Sequence, residues 1–282
     1  MTFEQFSPVL SSSDWQFWNE NGYIIIPNAV PQANLEAAIQ AIADFLGLDP
    51  NNPESWYPEK PRRLGFVEMY HHQAFWENRQ YPRVYQAFRE LWQMEKLWVS
   101  FDRANMAPPE RPDKPTGFNE PLIHWDFDAS LHPDRLMMQG VLYLTDTAAD
   151  QGGFQCVPGF HRYFHEWVQT QPADRNPHLP DMAGLTVEQI AGKAGDLVIW
   201  HSLLPHGNSL NRSRTLPRWS QYILMSPAQE DDEMLRQQRI QLWREQTTPP
   251  GFPGDPRGLE AQQGQSAQLT PLGKRLLGLE RW

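Results

Sequence analysis

The stretch PLIHWDFDASLHP, residues 121–133, sets one imidazole and two carboxylates at alternate positions: His124, Asp126 and Asp128. On a strand, alternate side chains share a face, so all three would point the same way. Two imidazoles and one carboxylate on one face, with coordination positions left open, form the donor set of a mononuclear iron(II) site that must also admit a cosubstrate and dioxygen. His124 and Asp126 supply two such ligands if they line a barrel mouth, and the third has to come from far along the chain. The block GDLVIWHSLLPHGNSLNRSRTLPRW offers His201 and His206, and leads to Arg218 at the start of RWSQYI. A planar guanidinium grips a carboxylate through two parallel hydrogen bonds. Arg218 therefore suits the far end of a 2-oxo diacid whose near end chelates iron.

Other chemistry-bearing residues have simpler readings. Asp128 lies two residues beyond Asp126, about 7 Å along a strand, and is placed at the cleft rim. His161 and His165 are spaced like a helical metal pair, but Arg162 stands where the zinc-protease motif needs glutamate. His71 and His72 adjoin and must diverge, which suits a loop or cleft wall. Cys156, the sole cysteine, reads as a small buried hydrophobe. Trp125, between the two ligands, should face away from the metal and pack, and Met137 and Met138 belong to a core strand. By parity from Met137, Gln139 falls on the barrel interior, where its amide needs a partner; a cosubstrate contact is one candidate.

The elements that must position these groups are mainly strands. LWVSF alternates, LMMQGVLYLTD is a buried-looking run, and FQCVPGFH, GDLVIWHSLLPHG and RWSQYILMS add more. They are separated by loops and not by regular helices, which predicts an antiparallel sandwich or barrel and not a βαβ fold. Helices are expected at both ends. Ser13 and Gln16 suggest a capping box opening a helix that stops at Gly22. Pro31 opens another, with Leu35, Ile39, Ile42 and Leu46 as its apolar stripe. Residues 48–63 read as loop, and YPRVYQAFRELWQ as a further helix. After Pro227 comes a charged amphipathic helix, then the linker TTPPGFPGDPRG and a short final helix. The expected organisation is one domain over 1–282, with N-terminal helices at about 13–95 and a helical extension at about 228–282.

The 282 residues carry 26 prolines and a net charge of −10. An acidic chain is a poor partner for nucleic acid or an anionic membrane face. The single cysteine excludes a disulfide framework and a Cys-rich zinc site. No early basic stretch precedes an apolar run, and no run approaches the ~20 residues of a spanning helix. The expectation is a soluble, cytoplasmic protein.

Four stretches together resemble the phytanoyl-CoA dioxygenase family of iron(II)/2-oxoglutarate oxygenases. They are HWD, QGGFQCVPGFHR (like the family's PGSH turn), GDLVIWHSLLPHGNSLNRS and the arginine opening the next strand; the leading WQFWNENGYIIIPNAVPQANL is similar too. The likeness runs from about residue 13 to about 226. It implies a double-stranded β-helix (jelly-roll, cupin-like) core, with metal on His124, Asp126 and His206. In the family the metal histidine is followed by Gly or Ser and, five residues on, Asn; His206, Gly207 and Asn211 match. His201 then becomes a core or supporting residue. The family's cosubstrate arginine usually lies about eleven residues past that histidine. Arg218 lies one residue further, leaving Arg214 as the alternative. The resemblance further implies iron(II), 2-oxoglutarate and dioxygen acting on a small organic metabolite, with succinate and carbon dioxide released. Halogenase relatives have Gly or Ala in place of the aspartate, so Asp126 favours hydroxylation or another oxidative outcome. The alternatives are a cupin-type metal isomerase or hydrolase without 2-oxoglutarate, and a non-catalytic binding protein on the same fold.

Overall fold

In the computed structural model, residues 8–57, 65–114, 123–128 and 136–282 are described. The opening motif is thus seen over 123–128, and part of the expected 48–63 loop lies outside the described residues.

The apolar run of the fifth strand is buried along its whole length because it lies inside the larger of two antiparallel sheets, covered on both faces. That sheet runs in the order β1 (Tyr23–Ile26), β8 (Leu197–His201), β5 (Met138–Tyr143), β10 (Arg218–Tyr222), β4 (Ala104–Ala107) and β2 (Phe66–Val67), with β3 (Leu97–Val99) and β11 (Met225–Pro227) attached beside β5. The smaller sheet is β7 (Glu188–Gln189), β6 (Phe154–Cys156) and β9 (His206–Asn208). The two face each other as a jelly roll. Tyr143, Val141 and Val198 from the large sheet share one buried cluster with Phe154 and Cys156 from the small one.

Directly opposed residues of antiparallel strands share a face, so the register lays out the interior in rows. One row is Tyr23, Trp200 and Gln139. The next is Ile25, Val198, Val141 and Tyr222, and then come Tyr143, Ser220, Asn105 and Phe66. Arg218 lies beyond, opposite Ala107. The outer face carries Ile24, Ile199 and Leu142, which pack into a second cluster with the helices. These are α2 (Gln32–Leu46), α3 (Gln73–Arg79), α4 (Pro82–Trp92) and α8 (Pro271–Leu277). Each fully buried large apolar side chain here is worth about 1.5–3 kcal/mol. Gly140 sits where the outer packing is tightest: a Cβ there would meet the Ile223 carbonyl at 2.8 Å.

The helix α1 (Ser12–Asn21) begins two residues earlier than its sequence signal suggests. Ser11 caps it, in a reciprocal box with Asp14 and not with Ser13 and Gln16. It stops as expected at Gly22, φ 74°, where any Cβ would run into the His161 ring. Pro31 stands just outside α2 as its N-cap. Helix α3 was not foreseen, because its seven residues are too few for periodicity to register. The same holds for α5 (Phe164–Gln169) and α7 (Leu259–Gln263). The charged segment after Pro227 forms α6 (Glu233–Glu245). The following linker is packed, not free: Tyr70 Oη donates to Pro253 O at 2.6 Å, and Arg257 Nη1 to Phe45 O at 3.0 Å. Among the described residues no helix is long and apolar enough to cross a membrane.

Candidate metal centre

His124, Asp126 and His206 come together, with one donor atom from each lying within 4.8 Å of the others. The small sheet achieves this. His124 forms a single antiparallel bridge with His206, each backbone N–H donating to the other's carbonyl at 2.9 and 3.1 Å. The two rings then lie 5.0 Å apart. The ladder ends there, and the chain bends at Asp126 and Phe127. The expectation of a regular strand through 124–128 therefore fails, and Asp128 is not held on the metal face by strand alternation. Asp128 is half-buried and outside the cluster.

The bend swings Asp126 between the imidazoles, with Oδ1 3.4 Å from His124 Nε2 and Oδ2 3.2 Å from His206 Nε2. Burial alone would raise the Asp126 carboxyl. The hydrogen bonds and charge of His124 and His206 outweigh it and hold the group well below the usual carboxylate range. His206 Nδ1 lies 2.9 Å from Leu204 O. A carbonyl only accepts, so Nδ1 carries a proton, which leaves Nε2, the nitrogen facing Asp126, as the one a metal would take. Trp200 and Phe154 pack on His206, with centroids at 5.2 and 6.2 Å, and dry its inner side. The side chains of His124 and Asp126 stay 31% and 39% exposed, so the cluster opens outward.

Gln139 is turned toward Asp126. Its Nε2 donates to Asp126 Oδ2, and its Oε1 is buried without a partner among the described residues. Trp125 faces away, as expected. It is packed against Phe160, Phe164 and Trp167, and its Nε1 donates to Leu203 O at 3.0 Å. His201 lies off the site, stacked on His161 at 5.2 Å and pushed down to about 3 by burial and by His161. His161 belongs to a 3-10 turn and His165 to α5, so they form no helical pair. Cys156 is buried and its thiol is pushed up by burial. His71 is not a cleft-wall residue but fully buried, donating from Nε2 to Thr247 O at 2.8 Å, while His72 caps α3.

Arg218 and Arg214 are separated by burial. Arg214 is exposed, whereas Arg218 is 0% exposed on the inner face of β10. All three of its guanidinium nitrogens lack a hydrogen-bond partner among the described residues, and so does the nearby Ser220 Oγ. A buried guanidinium is costly unless it is paired, and a carboxylate is the group that fits it. The donor set and this orphaned cation thus fit both an iron ion and a dicarboxylate cosubstrate.

The phytanoyl-CoA dioxygenase model matches residues 18–219, and the chain belongs to that family. Its members are iron- and 2-oxoglutarate-dependent enzymes, and His124, Asp126 and His206 could hold the metal. A Dictyostelium discoideum protein named provisionally as a phytanoyl-CoA dioxygenase is 23% identical over 273 residues, covering 80% of this chain and 78% of its own. Ava biosynthesis cluster protein O of Aspergillus versicolor is 26% identical over 251 residues, covering 79% and 80%. Among solved structures, the fold is similar to JW0805 of Escherichia coli, with TM-score 0.73, 17% identity, and 95% and 81% of the two chains covered. It is also similar to the epimerase SnoN in complex with Fe3+, α-ketoglutarate and nogalamycin RO, with TM-score 0.54, 14% identity, and 92% and 94% covered.

Proposed function

We propose that this protein is an iron(II)- and 2-oxoglutarate-dependent dioxygenase that hydroxylates an unactivated carbon of a small organic metabolite. The observation that carries this reading is one interior with a two-histidine, one-carboxylate cluster and a fully buried guanidinium that has no partner among the described residues. His124, Asp126 and His206 would hold the iron, and Arg218 would take the distal carboxylate of 2-oxoglutarate, with Ser220 Oγ within the same row system. When bound, iron and 2-oxoglutarate supply the activation of dioxygen that an aliphatic C–H bond requires. The chain's own part is placement. Leu204 O sets the His206 tautomer, Gln139 orients Asp126, and Trp200 with Phe154 excludes water from behind.

A cupin-type isomerase or hydrolase would use the same ligands but leaves Arg218 without a purpose. A binding protein would not need an open metal face. Anaerobic iron(II) plus 2-oxoglutarate is expected to give a visible charge-transfer band that Asp126→Ala abolishes. A succinate-release screen across metabolite classes, with product masses recorded, then separates hydroxylation from cyclisation or epimerisation. Iron binding with neither the band nor succinate release would sink the reading.

A further inference from the structure

We propose that Arg103 selects the organic substrate by pairing with a carboxylate on it, an inference that rests on the dioxygenase reading above. Arg103 directly precedes β4, and its carbonyl accepts from Tyr222 N–H at 2.9 Å. This extends the β10–β4 ladder one residue past the Gln221–Ala104 pair. Opposed residues share a face, so Arg103 lies on the inner face beside Tyr222. The Tyr222 hydroxyl accepts from Asn208 Nδ2 at 2.7 Å, and Asn208 is two residues past His206. Neighbouring strands are ~4.8 Å apart, which puts Arg103 about 10 Å to the side of β5, where Gln139 touches Asp126.

The guanidinium is built in but not satisfied. Its carbon sits 4.1 Å from the Phe66 ring centroid and 5.0 Å from that of Phe252. Its Nε is buried with no hydrogen-bond partner among the described residues, and the side chain as a whole remains 19% exposed. The adjacent carboxylate does not discharge it. Asp102 Oδ1 is 3.9 Å from Nε and already accepts from the Arg103 backbone N–H at 2.6 Å. With two aromatic rings packed on the guanidinium, its N–H edge is the part left to meet a ligand. That edge matches a planar carboxylate. A dianion such as a phosphate ester is disfavoured by neighbouring Asp102 and by the net charge of −10.

Phe252 comes from the C-terminal linker, which the Tyr70–Pro253 and Arg257–Phe45 hydrogen bonds tie to the body. The extension beyond the family match therefore completes this subsite.

The test titrates monocarboxylic acids, each against its methyl amide, into the anaerobic iron(II)–2-oxoglutarate enzyme. Displacement of the charge-transfer band reads binding, and succinate release reads turnover. In the wild type, acids and not amides should perturb the band. Arg103→Met, which keeps an unbranched chain packed on the rings, should weaken acid binding by roughly 30-fold or more while leaving the substrate-free band intact. Arg103→Lys, charged but without the planar fork, should fall between. Amides acting as well as acids on the wild type would overturn the proposal whatever the variants do. So would unchanged acid affinity in Arg103→Met, or loss of that variant's own 2-oxoglutarate band, which would make Arg103 a cosubstrate residue. A wild type with no band at all would instead refute the dioxygenase reading.

Discussion

Replacing Arg218 with methionine should stabilise the protein without ligands and abolish its response to 2-oxoglutarate. The side chain is 0% exposed with three nitrogens unpartnered among the described residues, so its charge is carried at a net cost in the unliganded fold. Exchanging buried charge for an apolar group of similar length typically recovers about 1–4 kcal/mol. For a chain of this size each kcal/mol moves the melting midpoint by about 2–4 °C, so Arg218→Met should melt roughly 2–16 °C higher. In the wild type, 2-oxoglutarate at a hundred times its dissociation constant should add about 2.7 kcal/mol. In the variant it should add nothing. Thermal melts followed by circular dichroism, with and without iron(II) and 2-oxoglutarate, measure both. Had the guanidinium a hidden partner, the variant would lose about 3–5 kcal/mol. That result, or a variant that 2-oxoglutarate still stabilises, would refute the argument.

Three further outcomes follow from the packing. Gln139→Leu should lower iron(II) affinity by about 10–100-fold, because Asp126 loses the amide that orients it; competition with a chromophoric chelator reads this, and full affinity would show the contact to be idle. Burial pushes His71 down to about 4, so the unfolded chain takes up a proton near pH 6.5 that the fold refuses. Stability is then fully present above about pH 6.5 and falls by about 3 kcal/mol on the way to pH 4. His71→Leu should flatten urea-derived stability over that window by up to about 1.4 kcal/mol per pH unit. Gly140→Ala should cost about 1–3 kcal/mol, since its Cβ meets the Ile223 carbonyl and backbone cannot swing aside as a side chain can; an unchanged denaturation midpoint would contradict that.

Much of the fold was legible in the chain because burial writes itself as pattern. The run at 138–143 is apolar without alternation, and it lies in mid-sheet with both faces covered. The stripe of α2 and its stop at Gly47 follow helical period and left-handed backbone. Elements too short to show a period escaped notice, among them α3, α5 and β7. The capping residue of α1 was misplaced because Ser11, Ser12 and Ser13 look alike until one of them accepts the Asp14 N–H.

The donor types of the site were likewise present in the sequence: His-x-Asp, a distant histidine and an arginine opening a strand. What only the tertiary structure decided is which atoms meet. The chain bends after Trp125 and carries Asp126 between two rings, whereas unbroken alternation would have made Asp128 its equal. Burial separates Arg218 from the exposed Arg214, and Gln139 turns to Asp126 because the register of β5 aims it there. Arg103 acquires its surroundings from Phe66 and Phe252, which are 186 residues apart in a sequence that gives no sign of their meeting. Local composition records which residues can bind; strand pairing over long separations sets which of them do so together.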